Sequence, residues 1–119
     1  MDYKDVYSLS MVFSQRIWDI VKAWPYFAMD TIGKQLVRSA DSVSANIKEG
    51  AGRYFFKDRN LFNYYSRGSL FETHCWLEKA NARKLIQQEV FEDLIKDHDL
   101  LHLEINKMIK NTRDQTFLK

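Results

Sequence analysis

Three histidines and one cysteine are the side chains of this chain best suited to hold a metal or attack a substrate. His98 and His102 stand four residues apart, which on a helix puts both imidazoles on one face within reach of a shared zinc ion. No His-Glu-x-x-His pattern surrounds them and no third ligand is evident, so the pair reads as core or flank histidines hydrogen-bonded to neighbours. A di-iron bundle needs two Glu-x-x-His pairs and two further inward carboxylates, and Asp99-x-x-His102 is a single loose analogue. His74 and Cys75 are consecutive, and consecutive helical positions point about 100° apart, too far for a nucleophile and its base. Cys75 therefore reads as a small buried hydrophobe. Gly50-Ala51-Gly52-Arg53 follows a helical run rather than a strand and lacks the Gly-Lys-Ser/Thr of a phosphate loop, so it reads as a helix C-cap. Neither a Gly-x-Ser-x-Gly elbow nor a dinucleotide fingerprint is present. The expectation is no catalytic residue, no metal, no cofactor and no enzyme activity.

The polar residues Gln35, Ser39, Ser42, Asn46, Glu49 and Arg53 are more informative, because their spacings of 4, 3, 4, 3 and 4 draw one continuous stripe on a helix. The stripe runs beside an apolar seam of Leu36, Ala40, Val43 and Ile47, while Lys34, Arg38, Asp41 and Lys48 face outward. Short hydroxyl and amide side chains beside a core suit close backbone approach and directed hydrogen bonds. Two readings stand: a flank edge whose polar groups are satisfied locally, or a subunit contact or binding site.

Residues 31–60 hold six basic and three acidic groups, a local charge of +3, whereas 1–30 and 91–119 are each −1. Lys34, Arg38, Lys48, Arg53, Lys57 and Arg59, near Tyr54, Phe55 and Phe56, would suit a surface for phosphates and stacked bases of RNA or DNA. A solvated helix face with a buried aromatic corner accounts for the same residues. The net charge of +2 is far below what a protein devoted to phosphate backbones carries.

These groups must be positioned by helices. A chain of 119 residues makes one domain, spanning 1–119, and one Pro with four Gly is too few for a sandwich, a barrel or a disordered chain. Apolar periodicity predicts helices at about 9–24, 31–50, 58–86 and 90–110, with 111–119 as a frayed tail. Trp24-Pro25 ends the first, and Asp30 or Thr31 would cap the second. In the last, Phe91, Leu94, His98, Leu101, Ile105 and Met108 repeat at alternating spacings of 3 and 4, with Glu104 outside the seam. In the third, Phe62, Ser66, Ser69 or Leu70, Thr73, Leu77 and Ala80 form the seam, and the apolar arc is wider than one seam needs. Eight of seventeen aromatic residues fall between Tyr54 and Trp76, which points to a further covering surface such as a second subunit. The fold expected is all-α, an antiparallel up-down-up-down four-helix bundle. One cysteine excludes an internal disulfide, and no apolar stretch is long enough for a membrane span or signal segment, so a cytoplasmic protein without a membrane partner is expected.

The run Gln35-Leu36-x-Arg38-Ser39-Ala40-x-Ser42-Val43-x-Ala45-Asn46-Ile47-x-Glu49-Gly50-x-x-Arg53, followed by Gly68-Ser69-Leu70-x-Glu72, resembles the signature of the four-helix-bundle proteins of 23S ribosomal RNA intervening sequences. Trp24-Pro25 and Gly33 extend the resemblance to about residues 7–110. Phe71, His74 and Cys75 depart from the family's Glu- and Leu-rich pattern there. The resemblance implies a bundle that assembles into a ring, a homopentamer, without catalytic activity, with Gln35, Arg38, Ser42, Asn46, Glu49, Gly50 and Arg53 as motif positions. It also implies kinship with the accessory variability determinant of diversity-generating retroelements, a pentameric barrel that works with nucleic acid through a basic surface.

Overall fold

The computed structural model describes residues 1–118, with side chains through Gln115. Four long helices carry the fold, and the expected all-α bundle is what the chain forms. Helix α1 covers Tyr3–Val21, well ahead of the expected start near residue 9. The reason is a reciprocal cap: the Asp5 N–H donates to the Asp2 carboxylate at 2.9 Å, and the Asp2 N–H donates to the Asp5 carboxylate at 3.3 Å.

Pro25 stops α1 as expected, but no open loop follows. A single turn α2, Tyr26–Ala28, runs into a π-helical turn, Met29–Gly33, and then directly into α3, Lys34–Ala51. Asp30 and Thr31 therefore do not cap a helix. Asp30 pairs with Lys34 at 2.7 Å, and the Thr31 hydroxyl donates back to the Phe27 carbonyl at 2.6 Å. Helix α4 covers Phe56–Ala82, with Asp58 inside its first turn. Helix α5 covers Gln88–Leu118. The frayed tail expected at 111–119 is thus helical to Leu118, and Lys119 lies outside the described residues. No Gly or Pro interrupts this stretch, and buried Ile109, whose carbonyl accepts from Asn60 Nδ2 at 3.1 Å, anchors the turn before it.

Gly50 is the other correction. It lies within α3, its φ is not positive, and it does not cap the helix. A Cβ at this position would stand 3.0 Å from the Arg59 carbonyl oxygen and 3.0 Å from Phe62 Cβ. Glycine is needed because α4 begins against the backbone of α3.

Each long helix packs on its sequence neighbours, and α1 closes the set against α5. Every pair is antiparallel: Lys48 of α3 sits over the Tyr7 ring, Thr73 of α4 meets Ser39 of α3, and Asn60 reaches Ile109. The resulting rod measures 52 × 23 × 19 Å. Phe13 and Ile17 of α1, Leu36 and Ile47 of α3, Leu70 and Leu77 of α4, and Leu94, Leu101 and Ile105 of α5 fill the core. On α4 the expected seam positions Ser66, Leu70, Thr73, Leu77 and Ala80 are buried, and the departure lies at its start, where Asn60 and Asn63 are buried and Phe62 is only half-buried.

Helix α4 ends on Lys84, whose φ of 59° places a side-chain-bearing residue in the left-handed region. Leu85 N–H donates to the Ala80 carbonyl and Lys84 N–H to that of Asn81, the paired bonds of a Schellman end. Lys84→Gly removes this strain and is expected to stabilise the chain by about 1 kcal/mol, read as a higher denaturant midpoint with unchanged slope. A lower midpoint would contradict the assignment.

Candidate assembly face, basic corner and histidine cluster

The polar stripe on α3 divides in three. Ser39 turns inward and is 3% exposed. Its hydroxyl donates to the Leu36 carbonyl at 3.1 Å and lies 2.9 Å from Thr73 Oγ1 of α4. The single Thr73 proton serves either Ser39 Oγ or the Ser69 carbonyl, at 2.8 Å. One turn along, Ser66 Oγ donates to the Val43 carbonyl at 2.8 Å. Ser39 thus belongs to the intramolecular α3–α4 contact, as Gly50 does.

Ser42 and Asn46 form a half-buried edge, and both donate to carbonyls one turn back, of Arg38 and Ser42 respectively, each at 2.8 Å. Gln35, Glu49 and Arg53 face out, the last two paired at 2.7 Å. Arg53 also covers the Phe62 ring at 4.6 Å, so the stripe continues onto the surface of α4.

That surface of α4 is apolar. Leu61, Tyr64, Tyr65 and Phe71 are exposed, while Asn60, Asn63, Ser66 and Thr73 are buried on the opposite side. Gly68 lies in the middle of the exposed face, and nothing comes within 4 Å of where its Cβ would be. Cys75, expected to be buried, is exposed on the same side.

The six basic residues do not form one patch. Lys34, whose hydrogen bond to Asp30 holds its ammonium above the usual lysine range, and Arg38 occupy the first turns of α3. Arg38 and Arg53 are separated by about 22 Å at 1.5 Å per residue. Lys48 stands over the Tyr7 ring at 4.8 Å. Arg53, Lys57 and Arg59 do gather, at the corner between α3 and α4, where Arg59 Nε donates to the Arg53 carbonyl at 2.7 Å and its guanidinium covers Phe56 at 5.2 Å. Tyr54 and Phe55, packed edge to face at 5.0 Å, are 83% and 65% exposed there, so the aromatic corner is not buried.

Sequence spacing alone missed how His74 joins the histidines of α5. The antiparallel register brings its ring to 4.7 Å from His98, with His102 6.4 Å beyond and Phe71 at 4.8 Å from His102. Among the described residues, no three His, Cys, Asp or Glu side chains gather in a metal-holding group. His98 is buried; Nδ1 lies 3.0 Å from the Asp99 carboxylate and Nε2 has no partner. Burial, aided by the nearby imidazoles, holds its pKa below the ordinary histidine range against the opposing pull of Asp99. Glu104, expected outside the seam, is also buried, because Lys107 at 3.1 Å and the N-terminal ammonium at 3.2 Å compensate its charge. Among the described residues, no helix is long and apolar enough to cross a membrane.

Residues 3–111 match the family described as 23S rRNA-intervening sequence protein, and the chain belongs to that family. It is also similar to a crystal structure from Bacteroides thetaiotaomicron of a protein with unknown function from the S23 ribosomal protein family. The two share 25% identity, with 92% of this chain and 99% of that one covered, at a TM-score of 0.83. No curated protein matches the chain.

The buried His98 makes stability depend on pH with a definite sign. Its folded-state pKa lies below the unfolded value of about 6.5, so below that pH the unfolded chain binds the proton more readily and stability falls with acidification. Between about pH 7 and pH 5 the wild-type denaturant midpoint is expected to fall further than that of His98→Leu. Parallel pH profiles for the two chains would contradict this.

Proposed function

We propose that the protein is a non-enzymatic homo-oligomer with an assembly or scaffold role in the cytoplasm, its protomers meeting along the outward face of α4 and the adjoining edge of α3. The observation that carries this reading is Gly68 among Leu61, Tyr64, Tyr65 and Phe71. Glycine inside an exposed helix costs about 1 kcal/mol relative to alanine, and no contact within the chain requires it. Close approach by a second helix, packed between aromatic side chains, would. Ser42, Asn46 and Glu49 border the same face and offer polar groups to its rim. The pentameric ring expected for the family is the assembly size to test. Light scattering at micromolar concentration is expected to give a multiple of 14.2 kDa, fivefold for the ring, and Gly68→Arg is expected to reduce it to the monomer with helical circular dichroism retained. A wild-type chain that stays a stable monomer would overturn the proposal.

The basic corner favours a second reading, an accessory protein that binds nucleic acid on the assembled ring. Arg53, Lys57 and Arg59 provide phosphate contacts beside two exposed rings suited to stacking, and repetition around a ring would multiply a weak local charge. This reading expects binding to RNA or DNA that weakens steeply with salt and is lost in the Arg53→Glu/Lys57→Glu chain. Absence of binding at low salt would remove it.

A further inference from the structure

Between α1, the π-helical turn and α3 lies a cleft of about 480 Å³ that none of the readings above uses. Trp18 and Val21 of α1, Met29 of the turn and Val37 of α3 give it an apolar wall, and Lys22, Lys34 and Arg38 stand at its rim. Its volume falls within the range of small-molecule sites, roughly 300–1,000 Å³.

The local backbone is shaped around this cleft. A π-helical turn widens the helix by one residue per turn and is often found at functional sites. Gly33, at the end of that turn, lets the chain press on α1, since a Cβ there would stand 2.7 Å from Val21 Cγ1. Trp18 leaves half its surface exposed at the mouth, at 51%. The rim charges are unequal. Lys22 is paired with Asp19 at 3.2 Å and Lys34 with Asp30 at 2.7 Å. The exposed Arg38 guanidinium has no carboxylate partner among the described residues, so the rim carries one uncompensated positive charge.

We propose that this cleft binds a small amphipathic anion, its apolar body lying on Trp18, Met29 and Val37 and its carboxylate or sulfonate taken by Arg38. An inorganic anion would leave the apolar wall in contact with water, and an uncharged apolar molecule would leave the guanidinium unused. A single head group matches the single free charge, and the planar fork of arginine suits a two-oxygen acceptor. On α3 Val37 lines this cleft beside α1, whereas Ser39 faces α4; the proposed assembly edge begins one turn on from Arg38, at Ser42, whose hydroxyl donates to the Arg38 carbonyl.

Decanoate is the probe, titrated into the whole chain while the Trp18 indole and Val37 methyl resonances are followed. Saturable binding is expected at one site per chain. Arg38→Gln is expected to weaken it by tenfold or more, the effect of one charge-assisted hydrogen bond of about 1.5–3 kcal/mol. Decanol should bind as weakly to the wild type as decanoate does to that variant, and Val37→Trp, which fills the cleft, should abolish binding. Circular dichroism checks that each variant is folded, and Arg38→Gln, at an exposed position, keeps the test open if Val37→Trp is not. Equal affinity for decanoate and decanol, indifference to Arg38→Gln, or failure to saturate would each overturn the proposal.

Discussion

The approach of α3 to α4 at backbone distance is the constraint on which the rest of the structure depends. Ser39, Val43 and Gly50 on one helix meet Thr73, Ser66 and the first turn of α4 on the other, and the contacts are hydroxyl to hydroxyl, hydroxyl to carbonyl and glycine to backbone. Such a contact tolerates little added volume. It turns the polar residues of α4 inward, and with them fixed there, Leu61, Tyr64, Tyr65 and Phe71 have only the outside left to occupy. The half-buried edge of Ser42 and Asn46 lies beside that apolar face for the same reason.

This inversion explains which parts of the fold could be read from the sequence. Helix α5 was legible because Leu94, Leu101 and Ile105 are both apolar and buried, so periodicity and burial agree. Helix α4 was legible as a helix, and its seam from Ser66 through Thr73 to Ala80 was legible too, but its first turns were not: Asn60 and Asn63 are buried there in place of Phe62, while Leu61, Tyr64, Tyr65 and Phe71 lie on the exposed face, so the strongest apolar signal pointed outward. The start of α1 had a visible signal in Asp2 and Asp5, masked by their charge. The π-helical turn had none; Met29–Gly33 contains no residue type that distinguishes it from an ordinary turn.

The candidate site was legible to the same uneven degree. Its spacing identified the stripe on α3, but which members turn inward depends on where α4 lies, and that assigns Ser39 to the core and leaves Gln35, Glu49 and Arg53 on the surface. Of the six basic residues only Arg53, Lys57 and Arg59 gather in space; about 22 Å of helix separates Arg38 from that corner, so Lys34 and Arg38 belong with the cleft beside α1 instead. The family membership of residues 3–111 and the similar bacterial structure, that of a protein with unknown function, agree with this bundle.

Helix packing, apolar presentation and the division of the stripe all follow from one interhelical contact, so the coupling across that contact is the most direct test. A double-mutant cycle of Ser39→Ala and Thr73→Val by denaturant unfolding measures it. The predicted result is an interaction energy of about 0.5–1.5 kcal/mol, with the double change costing that much less than the sum of the two single changes. Costs that add within about 0.3 kcal/mol would show that the two hydroxyls do not hold α3 against α4, and the account would lose its foundation.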